Sequence, residues 1–292
     1  MNLQDALSIF LVQLEADGRS PHTIGQYRRH VTAFGGWLAH GGPRRAVTRI
    51  GHEDVAAFLA APVARTAAHG GPKRAISMNA MRTSLRVFFR YLHEAGVLPQ
   101  NPARLVRRAM CAPPPPRAFT DDERDRLLAT LRRARGFEAE RDFAIVDLLL
   151  ATGIRLGSCI ALDVEDVDLA AGELRLKSTK GDRPERVFLA QGISDRLRRW
   201  IRDRAAGALF TDRRGRRLSP RHVHRRFRQW IKAAGITRPA SPHSCRHSFA
   251  CRVLERSGGN LAVVQAALRH RSITSTMVYA KVNEASVRAA LG

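Results

Sequence analysis

The sequence predicts a mainly α protein of the α+β type. It has an N-terminal four-helix bundle, then a mostly helical domain holding a small three-stranded antiparallel sheet. Three observations lead there. Apolar residues recur at helical spacing through most of the chain. Only three short runs, 164–168, 174–177 and 186–189, read as strands, and they follow one another closely. The proline run from Pro113 to Pro116 is a stiff extended spacer between two separately patterned parts. A length of 292 residues fits two domains. They are placed at 1–103 and 119–292, joined by a basic, Pro-rich linker at 104–118.

In the first part, Leu3 to about Asp17 is an amphipathic helix. Ser20-Pro21 opens a second helix that runs to about His40, where Gly41-Gly42-Pro43 breaks it. His52 to about Ala61 is a third. A Gly-rich loop at 68–72 precedes the fourth, from about Ser77 to Ala95. On that helix Leu85, Phe88, Phe89 and Leu92 form the core side, and Arg82, Arg86 and Arg90 fall at i, i+4 and i+8 on another face. Like charges so spaced repel, which favours an anionic partner against them. Asn101-Pro102 ends the bundle.

In the second part, Thr120-Asp121-Asp122-Glu123 is a capping box, and its helix ends near Arg135. The run from Phe143 to Leu150 is almost wholly apolar and reads as a buried helix that Gly153 ends. The last two of the three strand-like runs flank a turn, TKGDRP, with Lys180 at its tip. Ser194 to about Ala205 is a very basic helix. Ser219 caps another, on which Arg221, Arg225 and Arg228 share a face. Ser241 is an N-cap with Pro242 at the first helical position. A helix from about Asn260 to Leu268 stops before His270, and a short helix from Ser272 carries Tyr279. Val282, Ala285, Ala289 and Leu291 give the tail a weak apolar face.

The charge narrows the partner. Fifty Lys and Arg residues stand against 26 Asp and Glu, a formal charge of +24. Such an excess points to a polyanion. The cations are spread over the whole chain rather than along one amphipathic helix, which favours double-stranded DNA over a membrane surface. The fourth N-terminal helix and the helix after Ser219 are the candidate phosphate-gripping faces, through Arg82, Arg86 and Arg90 and through Arg221, Arg225 and Arg228. No apolar run spans a bilayer and no secretory leader is present. Four cysteines without paired spacing fit a reducing, cytoplasmic setting.

The C-terminal segment carries the chemistry. His243 and Arg246 are i and i+3 on one helix face. A phenol is a weak nucleophile near neutral pH, so attack on a phosphodiester needs a base for its proton and donors for the phosphorane. Arginine matches two phosphate oxygens with one planar fork. Arg155 lies at a helix boundary in ATGIRLGS, and Lys180 is a mobile general-acid candidate at the hairpin tip. His247, next to Arg246, is read as structural. A metal site is weighed on His222/His224 and on His243/His247, but no third ligand is evident and the surrounding arginines would repel a cation. No cofactor is expected.

These motifs resemble the tyrosine recombinase (phage integrase) family over nearly the whole chain. The first arginine block matches Arg155, the hairpin lysine Lys180, and the His-x-x-Arg block His243 and Arg246. The Leu-Gly-His block appears as Leu268-Arg269-His270, and the tyrosine nine residues later is Tyr279. The resemblance implies a site-specific DNA recombinase, Xer-like or carried by a phage or transposon, acting through a 3′-phosphotyrosyl intermediate. In it Tyr279 is the nucleophile and His243 its base. Arg155, Arg246 and His270 hold the phosphate oxygens, and Lys180 protonates the leaving 5′-oxygen. It further implies four protomers on paired sites, the C-terminal helix exchanged between them, and action on the nucleoid. Two positions depart: Ser158 stands where an acid is usual, and Arg269 where glycine is. The alternatives are a type IB topoisomerase-like enzyme and a catalytically silent DNA-binding protein.

Overall fold

A computed structural model describes residues 1–40, 46–68, 70–111, 117–177, 185–269 and 273–279. The chain forms two compact units, Met1–Ala112 and Pro113–Gly292.

The first unit is helical. Its elements are α1 (Leu3–Ala16), α2 (Pro21–His40), α3 (His52–Ala60), the single turn α4 (Pro62–Arg65) and α5 (Ala75–Glu94). Asn2 caps α1 by accepting from the Asp5 amide at 2.9 Å. Phe10, Phe34, Phe58, Phe88 and Phe89 are fully buried. Phe34 meets Phe58 edge-on at 5.2 Å and Phe89 at 5.7 Å. Burial of each ring contributes about 1.5–3 kcal/mol, which is what holds α2 and α5 together. The expected core residues Leu85, Phe88, Phe89 and Leu92 all lie in this cluster. Arg82 donates to Asn79 Oδ1 at 3.0 Å, and Arg86 and Arg90 are exposed. Arg90 pairs with Glu94 at 3.8 Å, so part of that charge stripe is already neutralised. Residues 109–111 fold back on α5, because the Asn79 amide exchanges two hydrogen bonds with the Ala109 backbone, at 2.8 and 2.9 Å. The prolines 113–116 lie outside the described residues.

The second unit holds α6 (Asp121–Arg133), α7 (Phe137–Thr152), α8 (Leu156–Ala161), β1 (Val167–Asp168), β2 (Glu173–Leu176), β3 (Glu185–Phe188), α9 (Gln191–Ile201), α10 (Pro220–Ala233), α11 (Pro242–Arg256) and α12 (Leu261–Leu268). The strands form an antiparallel sheet in the order β1-β2-β3, with Leu174 opposite both Val167 and Val187. Leu174, Leu176 and Val187 turn into the core shared by α6, α7 and α10. The Thr120 capping box is present, with bonds of 2.9 and 3.2 Å to Glu123.

Some boundaries differ from the sequence reading. Val164–Asp166 is a 3-10 turn, so the first strand keeps only two residues. The Asp163 amide donates to the Asp166 carboxylate and the Asp166 amide to the Asp163 carbonyl, and the Val164 amide goes to the Gly207 carbonyl at 2.8 Å instead of to β2. Helix α7 begins at Phe137, well before the apolar run. Its polar start is buried because Arg141 and Asp142 pair at 2.7 Å, and Asp142 also accepts from Arg226 at 2.7 Å and Trp230 at 2.8 Å. Helix α9 starts at Gln191, and α8 has no counterpart in the sequence reading. The expected helix before Tyr279 is two 3-10 turns, Ile273–Ser275 and Met277–Tyr279. Among the described residues, no helix is long and apolar enough to cross a membrane.

Candidate active site

Helix α11 is the platform. Its N-terminus is set by Pro242 and by Ser241, whose amide donates to Ser244 Oγ at 3.2 Å. One turn in, Arg246 is almost fully buried, at 3% exposure. Its guanidinium donates to the Gly153 carbonyl, and at 2.8 Å to the Leu268 carbonyl. A buried guanidinium must fill its donors, and these two carbonyls belong to segments distant in sequence. One side chain thus joins the end of α7, the end of α12 and the middle of α11.

Each joined segment leads to a candidate residue. Gly153 closes α7 in the left-handed conformation, φ 61°, and turns the chain so that Arg155 stands at the N-cap of α8, exposed. A side chain at 153 has no room: a Cβ there would lie 2.3 Å from the Phe249 ring. Leu268 precedes Arg269 and His270. His270, like Lys180 and the tail residues 280–292, lies outside the described residues.

Tyr279 is buried at 4% exposure, against Ala250, Val264 and Leu268. Its hydroxyl lies 2.8 Å from Nδ1 of His247. His247 in turn packs edge-to-face on His243, with ring centroids 4.6 Å apart. The phenol's hydrogen-bond partner in this structure is therefore His247, a structural residue on the sequence reading, and His243 stands one ring behind it. The signal was present: His243 and His247 are i, i+4 and share a helix face.

The electrostatics follow from crowding cations into a half-buried space. Burial, then Arg155 and Arg269, brings Arg246 down to about 10. Burial, then Arg246 and Arg155, lowers His243. Burial, then His243 and Arg246, lowers His247 to about 4. Burial raises Tyr279 to about 12, opposed by Arg246. Near neutral pH the imidazoles are uncharged and the phenol keeps its proton. Arg155 and Arg269 destabilise the charge on Arg246, and Arg155 that on Arg269, a strain that an anionic oxygen cluster would relieve.

Arg221, Arg225 and Arg228 are exposed on α10, away from its buried residues Val223, Phe227 and Ile231. Among the described residues, no group of three or more His, Cys, Asp or Glu converges to hold a metal ion.

Residues 117–286 match the phage integrase family, and residues 7–96 match the N-terminal SAM-like domain of phage integrases. The chain is 32% identical over 281 residues to the tyrosine recombinase XerC of Chromobacterium violaceum, covering 95% of this chain and 90% of that one. The fold is similar to that of the XerH site-specific recombinase bound to its difH substrate, with a TM-score of 0.72, 21% identity, and coverage of 92% of this chain and 79% of that one. It is also similar to a lambda integrase tetramer bound to a Holliday junction, with a TM-score of 0.73, 20% identity, and coverage of 97% and 81%.

Proposed function

The chain belongs to the phage integrase family and is a tyrosine-type site-specific recombinase, an enzyme that breaks and rejoins DNA, and on that premise we propose that Tyr279 is its nucleophile. The phenol oxygen bonds to the scissile phosphorus, the bond to the 5′-oxygen breaks, and a 3′-phosphotyrosyl link remains. The phenol proton goes to an imidazole, with His243 as the base. Lys180 delivers a proton to the leaving 5′-oxygen. Arg155, Arg246 and His270 stabilise the charge on the non-bridging oxygens. Attack by a 5′-hydroxyl from another duplex reverses the step and exchanges strands. Bond energy is conserved in the phosphotyrosine, so the cycle needs neither nucleotide hydrolysis nor a cofactor.

The observation that carries this reading is the pair of bonds from Arg246 to the Gly153 and Leu268 carbonyls. They support bringing the Arg155 loop and the segment leading to His270 up to the helix that meets Tyr279. The buried phenol, with its proton retained, is the resting arrangement. DNA binding must draw Tyr279 out of its pocket before it can attack.

The remaining assignments belong to the same proposal. The DNA-gripping domain is 1–103, the linker 104–118 and the catalytic domain 119–292. Arg82, Arg86 and Arg90, with Arg221, Arg225 and Arg228, hold phosphates of double-stranded recombination sites. Four protomers act on paired sites, exchanging their C-terminal helices, as a cytoplasmic, nucleoid-associated assembly. The tetrameric lambda integrase of similar fold supports that stoichiometry.

The test uses nicked duplexes with a randomised core, which trap a covalent intermediate when the cleaved fragment diffuses away. Wild-type protein forms an adduct resistant to denaturant, and Tyr279→Phe forms none while still retarding DNA. An adduct with Tyr279→Phe sinks the nucleophile assignment.

A further inference from the structure

Arg269 occupies a costly position. It ends α12 in the left-handed region at φ 53°, where glycine is free of strain and any other residue gives up about 1–2 kcal/mol. Its side chain is also largely buried, at 17% exposure. Burying a guanidinium costs more unless every donor is met. Only part of it is met here. Nε pairs with Glu185 at 3.3 Å, while Nη2 is fully enclosed and has no hydrogen-bond partner among the described residues.

The surroundings point to what is missing. The residue just before Arg269 supplies the carbonyl on which Arg246 rests. Arg269 and Arg155 both act electrostatically on Arg246, and Arg155 acts on Arg269. Three guanidiniums therefore lie within electrostatic reach of one another, and Glu185 is the carboxylate that acts on both Arg246 and Arg269. Glu185 opens β3 and is itself about half exposed, at 48%, so it can yield its place to a stronger anion. An unmet, buried N–H donor beside two other arginines fits an oxyanion ligand that arrives with the substrate.

We propose that Arg269 is a third DNA-phosphate-binding arginine of this site, parked on Glu185 until DNA arrives. It rests on the recombinase reading only for the identity of the DNA. When the duplex enters, Glu185 swings to solvent, the Arg269 head turns outward, and a phosphate takes the Nε donor that Glu185 leaves together with Nη2. Arg269 then adds one ion contact to the protein–DNA interface and restrains the phosphate beside Arg246.

The test compares Arg269→Gly, Arg269→Lys and Glu185→Gln for equilibrium binding to a mixed-sequence duplex over a range of salt. Glycine suits φ 53°, so Arg269→Gly keeps the fold, and a thermal midpoint at or above wild type verifies this. Each phosphate contact contributes about 0.9 to the slope of log affinity against log salt. Arg269→Gly is expected to lower that slope by about 0.9. Its affinity would then fall about three- to fourfold less than wild type between about 50 and 200 mM salt. Arg269→Lys should restore the slope, and Glu185→Gln should leave it unchanged or steeper. A wild-type slope in Arg269→Gly overturns the inference. So does Glu185→Gln reproducing the loss, which would mean that the pair acts only as a strut. Because binding is read without chemistry, a failure here is separable from a failure of Tyr279 to form an adduct.

Discussion

The Tyr279 hydroxyl and Nδ1 of His247 stand 2.8 Å apart, and burial shifts each of them away from ionisation. With the phenol raised to about 12 and the imidazole lowered to about 4, the proton stays on oxygen and the imidazole accepts the bond. The contact stores the tyrosine rather than activating it. On the proposed mechanism, activation requires that the phenol move toward phosphate, where the guanidiniums favour its anion.

That arrangement gives stability a pH dependence of defined sign. The folded-state value of His247 lies below its ordinary 6.5, so the unfolded chain binds this proton first as pH falls. Stability contributed by the neutral imidazole is complete above about 6.5 and is lost as pH drops toward about 4. His243, also lowered, acts in the same direction. The thermal midpoint of wild type should fall through this window, and that of His247→Gln should fall less. A constant difference between the two proteins from about pH 7 to pH 4 would contradict it.

Gly153 is required twice, by its φ of 61° and by the Phe249 ring at its Cβ position. Gly153→Ala must either twist the chain or displace Phe249. The expected loss is about 1–3 kcal/mol, read as a lowered denaturant midpoint with an unchanged slope. Because Arg155 follows by two residues, covalent capture of DNA should fall further than the stability loss explains. Full capture at a permissive temperature would show that the Arg155 loop is not set by this turn.

Much of this was visible in the sequence, and the part that was not has identifiable causes. Thr120 with Glu123, Ser219 and Pro242 mark their helix starts by local chemistry, and the structure has α6, α10 and α11 beginning there. The start of α7 was hidden because Arg141 and Asp142 look like surface residues until their mutual pairing is known. The environment of Arg269 was hidden likewise. Its identity was plain, but its burial against Glu185 depends on the start of β3 reaching the end of α12, a contact between residues far apart in the chain. The contact of His247 is likewise not legible locally, because its partner, Tyr279, lies 32 positions away. Local signals give element starts, whereas the protonation and partner of a side chain are tertiary facts.

Arg246 should not tolerate lysine. Lysine keeps the charge but offers one point where the guanidinium reaches two carbonyls in different directions. Arg246→Lys leaves the Gly153 or Leu268 carbonyl unmet in a buried place, at about 1–3 kcal/mol. If it is the transition-state donor proposed above, its loss should slow covalent capture by about 10²–10³. Single-turnover rates on the nicked duplex, compared at temperatures where both proteins are folded, separate the two effects. A rate within about threefold of wild type would remove Arg246 from the phosphate site.

Helix α10 divides its arginines between two tasks, and mutation should separate them. Arg226 is bonded to buried Asp142 at 2.7 Å, beside the Trp230 indole on the same oxygen. Removing it takes one of three partners from a buried carboxylate that keeps Arg141 and Trp230, so Arg226→Ala should destabilise the fold by about 1–3 kcal/mol. Arg221, Arg225 and Arg228 point to solvent and have no carboxylate partner among the described residues. Replacing all three by alanine should leave the thermal midpoint nearly unchanged. If each touches a phosphate, the salt slope of DNA binding falls by up to about 2.7, the sum of three contacts. An unchanged slope would assign this face to solvent and move the duplex elsewhere on the unit.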